Sequence, residues 1–175
     1  MTIEVPSSYT VVGAHITTDA TRFTYTAVSR AADEYASYNF GVGYFSGQAY
    51  LEYTFNITGG GGASPKSVCI GFTDTLNDGS ATTNQCGDIH RLDGTNSVLD
   101  VYAGLREGGV SADTPGSVAS PMSTVLYGRT GFFSSLGGQY GAVVSQHYSD
   151  SGRTTLTNSV VKARSSSATY QHIIV

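Results

Sequence analysis

Hydrophobic and polar side chains alternate most regularly over residues 50–57, where Leu51, Tyr53, Phe55 and Ile57 fall on one side and Tyr50, Glu52, Thr54 and Asn56 on the other. A two-residue period belongs to a β-strand that covers a core with one face and meets water with the other. Four glycines, Gly59 to Gly62, follow this strand and precede a second apolar run over 67–72. Further strand-like runs lie at 9–16, interrupted at Gly13, and at 22–28, 39–45, 89–92, 98–106, 123–127, 131–133, 140–148, 154–162 and 170–175. The turn at 149–152 joins two of them as a hairpin. Residues 30–38 have the one helix-favouring composition and are read as a turn or two of helix, or as a loop. Residues 111–121, rich in Ser, Gly and Pro, read as an exposed loop.

Nine to eleven strands, glycine-bearing turns and little or no helix predict an all-β fold, an antiparallel β-sandwich of jelly-roll type. Neither an internal repeat nor a linker divides the chain, so residues 1–175 are expected to form a single domain. The apolar run 172–175 needs a partner, because an unpaired hydrophobic edge invites aggregation. The N-terminal strand or a neighbouring subunit would supply it.

Only 13% of residues are charged, about half the usual share, so solubility rests on Ser, Thr, Asn, Gln, Gly and Tyr. This suits extracellular and virion β proteins. The net charge is −4 and the arginines are scattered, which argues against nucleic acid, whose binding needs clustered cations. No run reaches the length of a membrane-spanning helix. The N-terminus lacks the basic and apolar regions of a signal peptide; either this is a mature chain with an added Met, or the protein reaches its destination without classical secretion, as a virion protein released by lysis does. Cys69 and Cys86 are read either as a disulfide or, given the missing signal, as two reduced thiols.

Candidate chemistry concentrates after Phe72. Asp74, Asn77, Asp78 and Asp88 offer oxygen ligands to calcium, although without the EF-hand register, and turns favour the same residues. Otherwise no cofactor is expected. Asp88 and His90 stand two apart and share a face of any strand that holds them, as an acid–base pair would require. The alternative is a surface histidine beside a turn. Asp93 and Asn96 flank the next turn. His15, His147 and His172 lie on separate predicted strands. No serine-nucleophile elbow is present, and the glutamates Glu4, Glu34, Glu52 and Glu107 are isolated rather than clustered as glycosidases require. Twelve Tyr and seven Phe without one Trp provide rings for a core and for sugar or protein surfaces.

The fragments 50–53 (Tyr-Leu-Glu-Tyr) and 70–74 (Ile-Gly-Phe-Thr-Asp), with the polar segment and the 98–106 strand beyond them, resemble concanavalin A-like lectin/glucanase domains over about a third of the chain. The chain also looks like jelly-roll modules of bacteriophage fibres and capsid decorations. The glucanase acids are missing, so the resemblance implies the fold and a glycan-binding role alone. The expectation is a non-enzymatic virion surface protein, binding glycans through Asp74, Asn77, Asp78, Asp88, His90, Asp93 and Asn96, with copies of itself or other virion proteins as partners. A purely structural self-assembling subunit and a polysaccharide-degrading enzyme are the alternatives.

Overall fold

A computed structural model describes residues 9–18, 23–25, 34–56, 66–76, 84–93, 98–107, 110–111, 114–121, 125–134 and 139–175. These contain fourteen strands and no helix: β1 (Thr10–Val12), β2 (Ile16–Thr18), β3 (Phe23–Tyr25), β4 (Tyr35–Asn39), β5 (Ala49–Asn56), β6 (Lys66–Thr73), β7 (Gln85–Asp93), β8 (Val98–Glu107), β9 (Val110–Ser111), β10 (Thr114–Pro121), β11 (Val125–Phe133), β12 (Ala142–Tyr148), β13 (Leu156–Ala163) and β14 (His172–Ile174). The count exceeds nine to eleven because several strands are only two or three residues long. One sheet runs β1-β4-β14-β6-β7-β8-β10 with β9 beside β8, a second runs β13-β12-β11-β5, and β2 pairs β3. Every pairing is antiparallel.

The sheets face each other across a core of Phe72, Cys86, Leu105, Phe132, Val143 and Tyr170, with Phe45, Ala49, Leu51, Ala168 and Ile173 packed against it. Phe72 from one sheet meets Phe132 from the other edge-on, with centroids 5.3 Å apart. The fold is therefore a β-sandwich, as the alternation predicted. Among the described residues no helix is long and apolar enough to cross a membrane.

Register explains which side chains share the interior. On the second sheet, Leu51, Thr130 and Ser145 form one cross-strand row and Tyr53, Gly128 and His147 the next. On the first, Cys86, Asp88 and His90 alternate inward along β7, opposite Phe72, Ile70 and Val68 of β6. The interior thus changes along the sandwich from aromatic and aliphatic to hydroxyl, imidazole and carboxylate.

Several expectations are corrected. Residues 35–38 are strand, not helix, because β4 pairs with both β1 and β14 and its Ala36 and Ser37 are buried; residues 30–33 lie outside the described residues. Residues 114–121 form β10 on the edge of the larger sheet, a position that tolerates Pro115 and Pro121 because an edge strand need not donate every amide. The C-terminal strand lies between β4 and β6, not against β1. The runs at 123–127 and 131–133 belong to one strand, β11, from Val125 onward. Cys69 and Cys86 are not joined by a disulfide; Cys86 is buried and Cys69 half-buried. They take opposite parities on neighbouring strands and so point to opposite faces of the sheet.

Candidate functional site

Four polar side chains converge in the interior. β7 projects Asp88 and His90 from one sheet; β12 projects His147 and β5 projects Tyr53 from the other. Asp88 and His147 are fully buried and His90 is 1% exposed. The Tyr53 hydroxyl donates a short hydrogen bond to Asp88 Oδ2. It also lies 2.9 Å from His90 Nε2 and 3.3 Å from His147 Nε2. His147 Nε2 is 3.4 Å from Asp88 Oδ2. The rings pack as well as bond, since Phe55 stacks on His90 at 4.5 Å and His90 meets His147 edge-on at 5.8 Å.

Local sequence makes this convergence feasible. Gly128 lies directly between Tyr53 and His147 in the cross-strand row. A Cβ at Gly128 would fall 2.1 Å from Tyr53 Cζ and 2.4 Å from its hydroxyl oxygen. Glycine therefore leaves the floor on which the tyrosine ring lies as it reaches across β11. From outside the row, Arg153 fixes the same two residues. Its Nη2 donates to the Tyr53 carbonyl at 2.9 Å and its Nε to the Gly128 carbonyl at 3.2 Å. Arg153 occupies the left-handed region (φ 54°) in the turn after β12, where Asp150 accepts the amides of Thr154 and Thr155.

Burial governs the electrostatics. It pushes His90 down to about 4, more than the nearby Asp88 carboxylate restores, and the facing His147 adds to the fall. His90 is accordingly neutral at neutral pH. Burial and the Asp88 charge hold the Tyr53 hydroxyl well above the usual phenol range, so it keeps its proton. With one proton, Tyr53 donates to Asp88 and accepts from the imidazoles. Asp88 Oδ1, His90 Nδ1 and His147 Nδ1 then have no hydrogen-bond partner, although all three are buried. Asp88, His90 and His147 each offer a ligand atom, and these atoms lie within 4.8 Å of one another.

The residues singled out in the polar segment are distributed differently. Asp88 and His90 are brought together as their spacing predicted, but inside the sandwich rather than at its rim. Asp74 stays at the mouth of the loop, where it accepts bonds from the Asn84 backbone and side chain at 2.8 and 2.6 Å. Three residues of strand beyond Gln85 separate that position from Asp88, roughly 10 Å, and Asp88 faces inward. Asp74 and Asp88 therefore do not share a calcium site. Asn77, Asp78 and Asn96 lie outside the described residues, as does the side chain of Asp93. Sequence reasoning missed Tyr53 and His147 as functional groups. Tyr53 was visible as a polar-tipped residue on an inward face, whereas only strand pairing brings His147 to it. His15 is elsewhere, bonded to Glu34 at 2.7 Å; His172 is buried too, but on the face of β14 opposite the core-facing Ile173, beside Gln171.

The site and fold define an all-β sandwich with a buried Asp–His–His cluster that the half-buried Tyr53 reaches with its hydroxyl. No family model, curated protein or solved structure matches the chain.

Proposed function

We propose that this chain is a non-enzymatic β-sandwich module of a virion surface, a capsid decoration or tail-fibre component that binds glycans through its exposed aromatic side chains. The observation that carries this reading is the enclosure of Asp88, His90 and His147 between the sheets. Hydrolysis of a polysaccharide needs two carboxylates flanking the scissile bond. Here the constellation contains one carboxylate, and it has no exposed surface. Among the described residues, the exposed aromatic side chains are Tyr44 and Tyr140. On the segment between β4 and β5, Tyr44 is 51% exposed and backed by the stacked ring of Phe40 at 5.0 Å. A rigidly backed tyrosine is a suitable platform for a sugar ring.

Glycan-array screening of the labelled chain tests the proposal. Binding should be lost in Tyr44→Ala and kept in Asp88→Asn. The reading fails if no glycan binds above background, or if a polysaccharide panel yields hydrolysis products that disappear in Asp88→Asn. The structural-subunit alternative draws support from β13, whose Leu156 and Val161 are about half exposed. Light scattering at high concentration addresses it, since a strict monomer would remove that alternative.

A further inference from the structure

We propose that Asp88, His90 and His147 bind one zinc ion, with the Tyr53 hydroxyl closing the fourth side, and that this ion ties the two sheets together. The inference does not depend on what the exposed surface binds.

Geometry is the first argument. Two imidazoles and a carboxylate form a zinc donor set, and structural zinc takes four ligands in a tetrahedron. Bonds of about 2.0–2.1 Å place tetrahedral ligand atoms about 3.3 Å apart. Tyr53 Oη to His90 Nε2 is 2.9 Å, Tyr53 Oη to His147 Nε2 is 3.3 Å, and Asp88 Oδ2 to His147 Nε2 is 3.4 Å. Three edges of the polyhedron thus already have nearly the required length, whereas the Tyr53–Asp88 edge, a short hydrogen bond without the ion, would have to open.

The buried carboxylate is also incompletely satisfied. A network of these side chains alone leaves Asp88 Oδ1 unpartnered in a dry interior; the two Nδ1 atoms, on the far side of rings that would bind through Nε2, do not bear on the ion. Buried unpartnered oxygens are rare in native proteins and call for an ion, a water or another cause. Asp88 makes no ion pair with Lys or Arg among the described residues, His147 being its partner there. A carboxylate out of water needs a compensating cation. A dication provides one, and Asp88 can offer it either oxygen or both.

The donor set also selects the metal. Calcium takes six to eight oxygens and would be poorly served by two imidazoles. The iron triad of two histidines and one carboxylate keeps positions open for oxygen and substrate. Here the Tyr53 ring, seated over Gly128, covers the remaining side, which favours a closed structural site. Because Asp88 and His90 belong to one sheet and His147 and Tyr53 to the other, the ion would join β7 to β12 and β5.

The test uses the full chain freed of metal by chelator and dialysis, then exposed to Zn(II) or Co(II). One equivalent of zinc should be retained on elemental analysis, and Co(II) should give the intense visible bands of four-coordination. Zinc at a hundredfold excess over Kd should raise Tm by about 5–10 °C. His147→Gln and Asp88→Asn should each weaken zinc binding by about 100-fold or more, beyond the loss typical of an outer-shell change. His15→Gln and His172→Gln should bind as the parent does. If the interior variants do not fold, the cobalt spectrum and Tm shift of the parent chain decide. A folded parent that retains no zinc, a six-coordinate cobalt spectrum, or undiminished binding in folded His147→Gln overturns the assignment. Glycan binding is scored separately, so either proposal can fail while the other stands.

Discussion

Replacing Gly128 with alanine should have opposite effects depending on whether residue 53 carries a ring. In the parent, the new Cβ would sit 2.1 Å from Tyr53 Cζ, and ordinary contact begins near 3.4 Å. The ring must retreat by about 1.3 Å, enough to break its hydroxyl contacts with Asp88 and His90. Losing a hydrogen bond to a charged group costs about 1.5–3 kcal/mol, and overpacking adds about 1–3 kcal/mol. The substitution should therefore destabilise by roughly 3–5 kcal/mol, a large part of the 5–15 kcal/mol that holds a typical domain together. A Tyr53→Ala background removes the three atoms nearest that Cβ, all of which belong to the Tyr53 ring. The strand then benefits from replacing glycine, by about 0.5–1 kcal/mol. Urea unfolding of the four chains, followed by far-ultraviolet circular dichroism, measures both effects. Equal costs in the two backgrounds would refute the view that Gly128 exists to seat Tyr53.

Arg153→Ala removes donors to the Tyr53 and Gly128 carbonyls and should cost about 1.5–3 kcal/mol in urea unfolding, with Arg153→Lys recovering only part because lysine lacks the fork. Burial pushes the Cys86 thiol up to about 12, so a thiol reagent at neutral pH should modify Cys69 in the native chain and both cysteines after denaturation; prompt native labelling of two thiols would contradict the packing. Asp150 is held below its ordinary 3.8 by hydrogen bonds from Thr155 and then Thr154. Its contribution is therefore present above 3.8 and lost as pH falls through the lower folded value. Asp150→Asn should flatten the pH dependence of Tm in that acidic window and leave its slope unchanged at neutral pH.

The period-two pattern made strands legible because it reflects a geometric property of the extended chain. It also placed Asp88 and His90 on one face. It could not say which face turned inward, since β7 buries Cys86, Asp88 and His90 and so carries polar groups where hydrophobic ones are the rule. The approach of His147 was illegible for another reason. It depends on β12 pairing with β11 and on the sheets stacking, and neither is written in local periodicity. Residues 35–38 show tertiary override of propensity, since two strand neighbours outweigh the helical preference of Ala36 and of Glu34 just before it. Gly128 looked like an ordinary strand glycine until Tyr53 was seen lying across it.

The placement of β14 has a consequence for the order of assembly. Ile173 pairs with Tyr38 on one side and Phe72 on the other, so the larger sheet consists of two separate pieces until the distal end of the chain arrives between them. Contacts so remote in sequence slow folding, because loop closure must precede any reward. Until then β4 and β6 both present open edges. A short peptide spanning residues 170–175 is therefore the natural competitor for that gap, and a reagent for trapping the chain before its last strand docks.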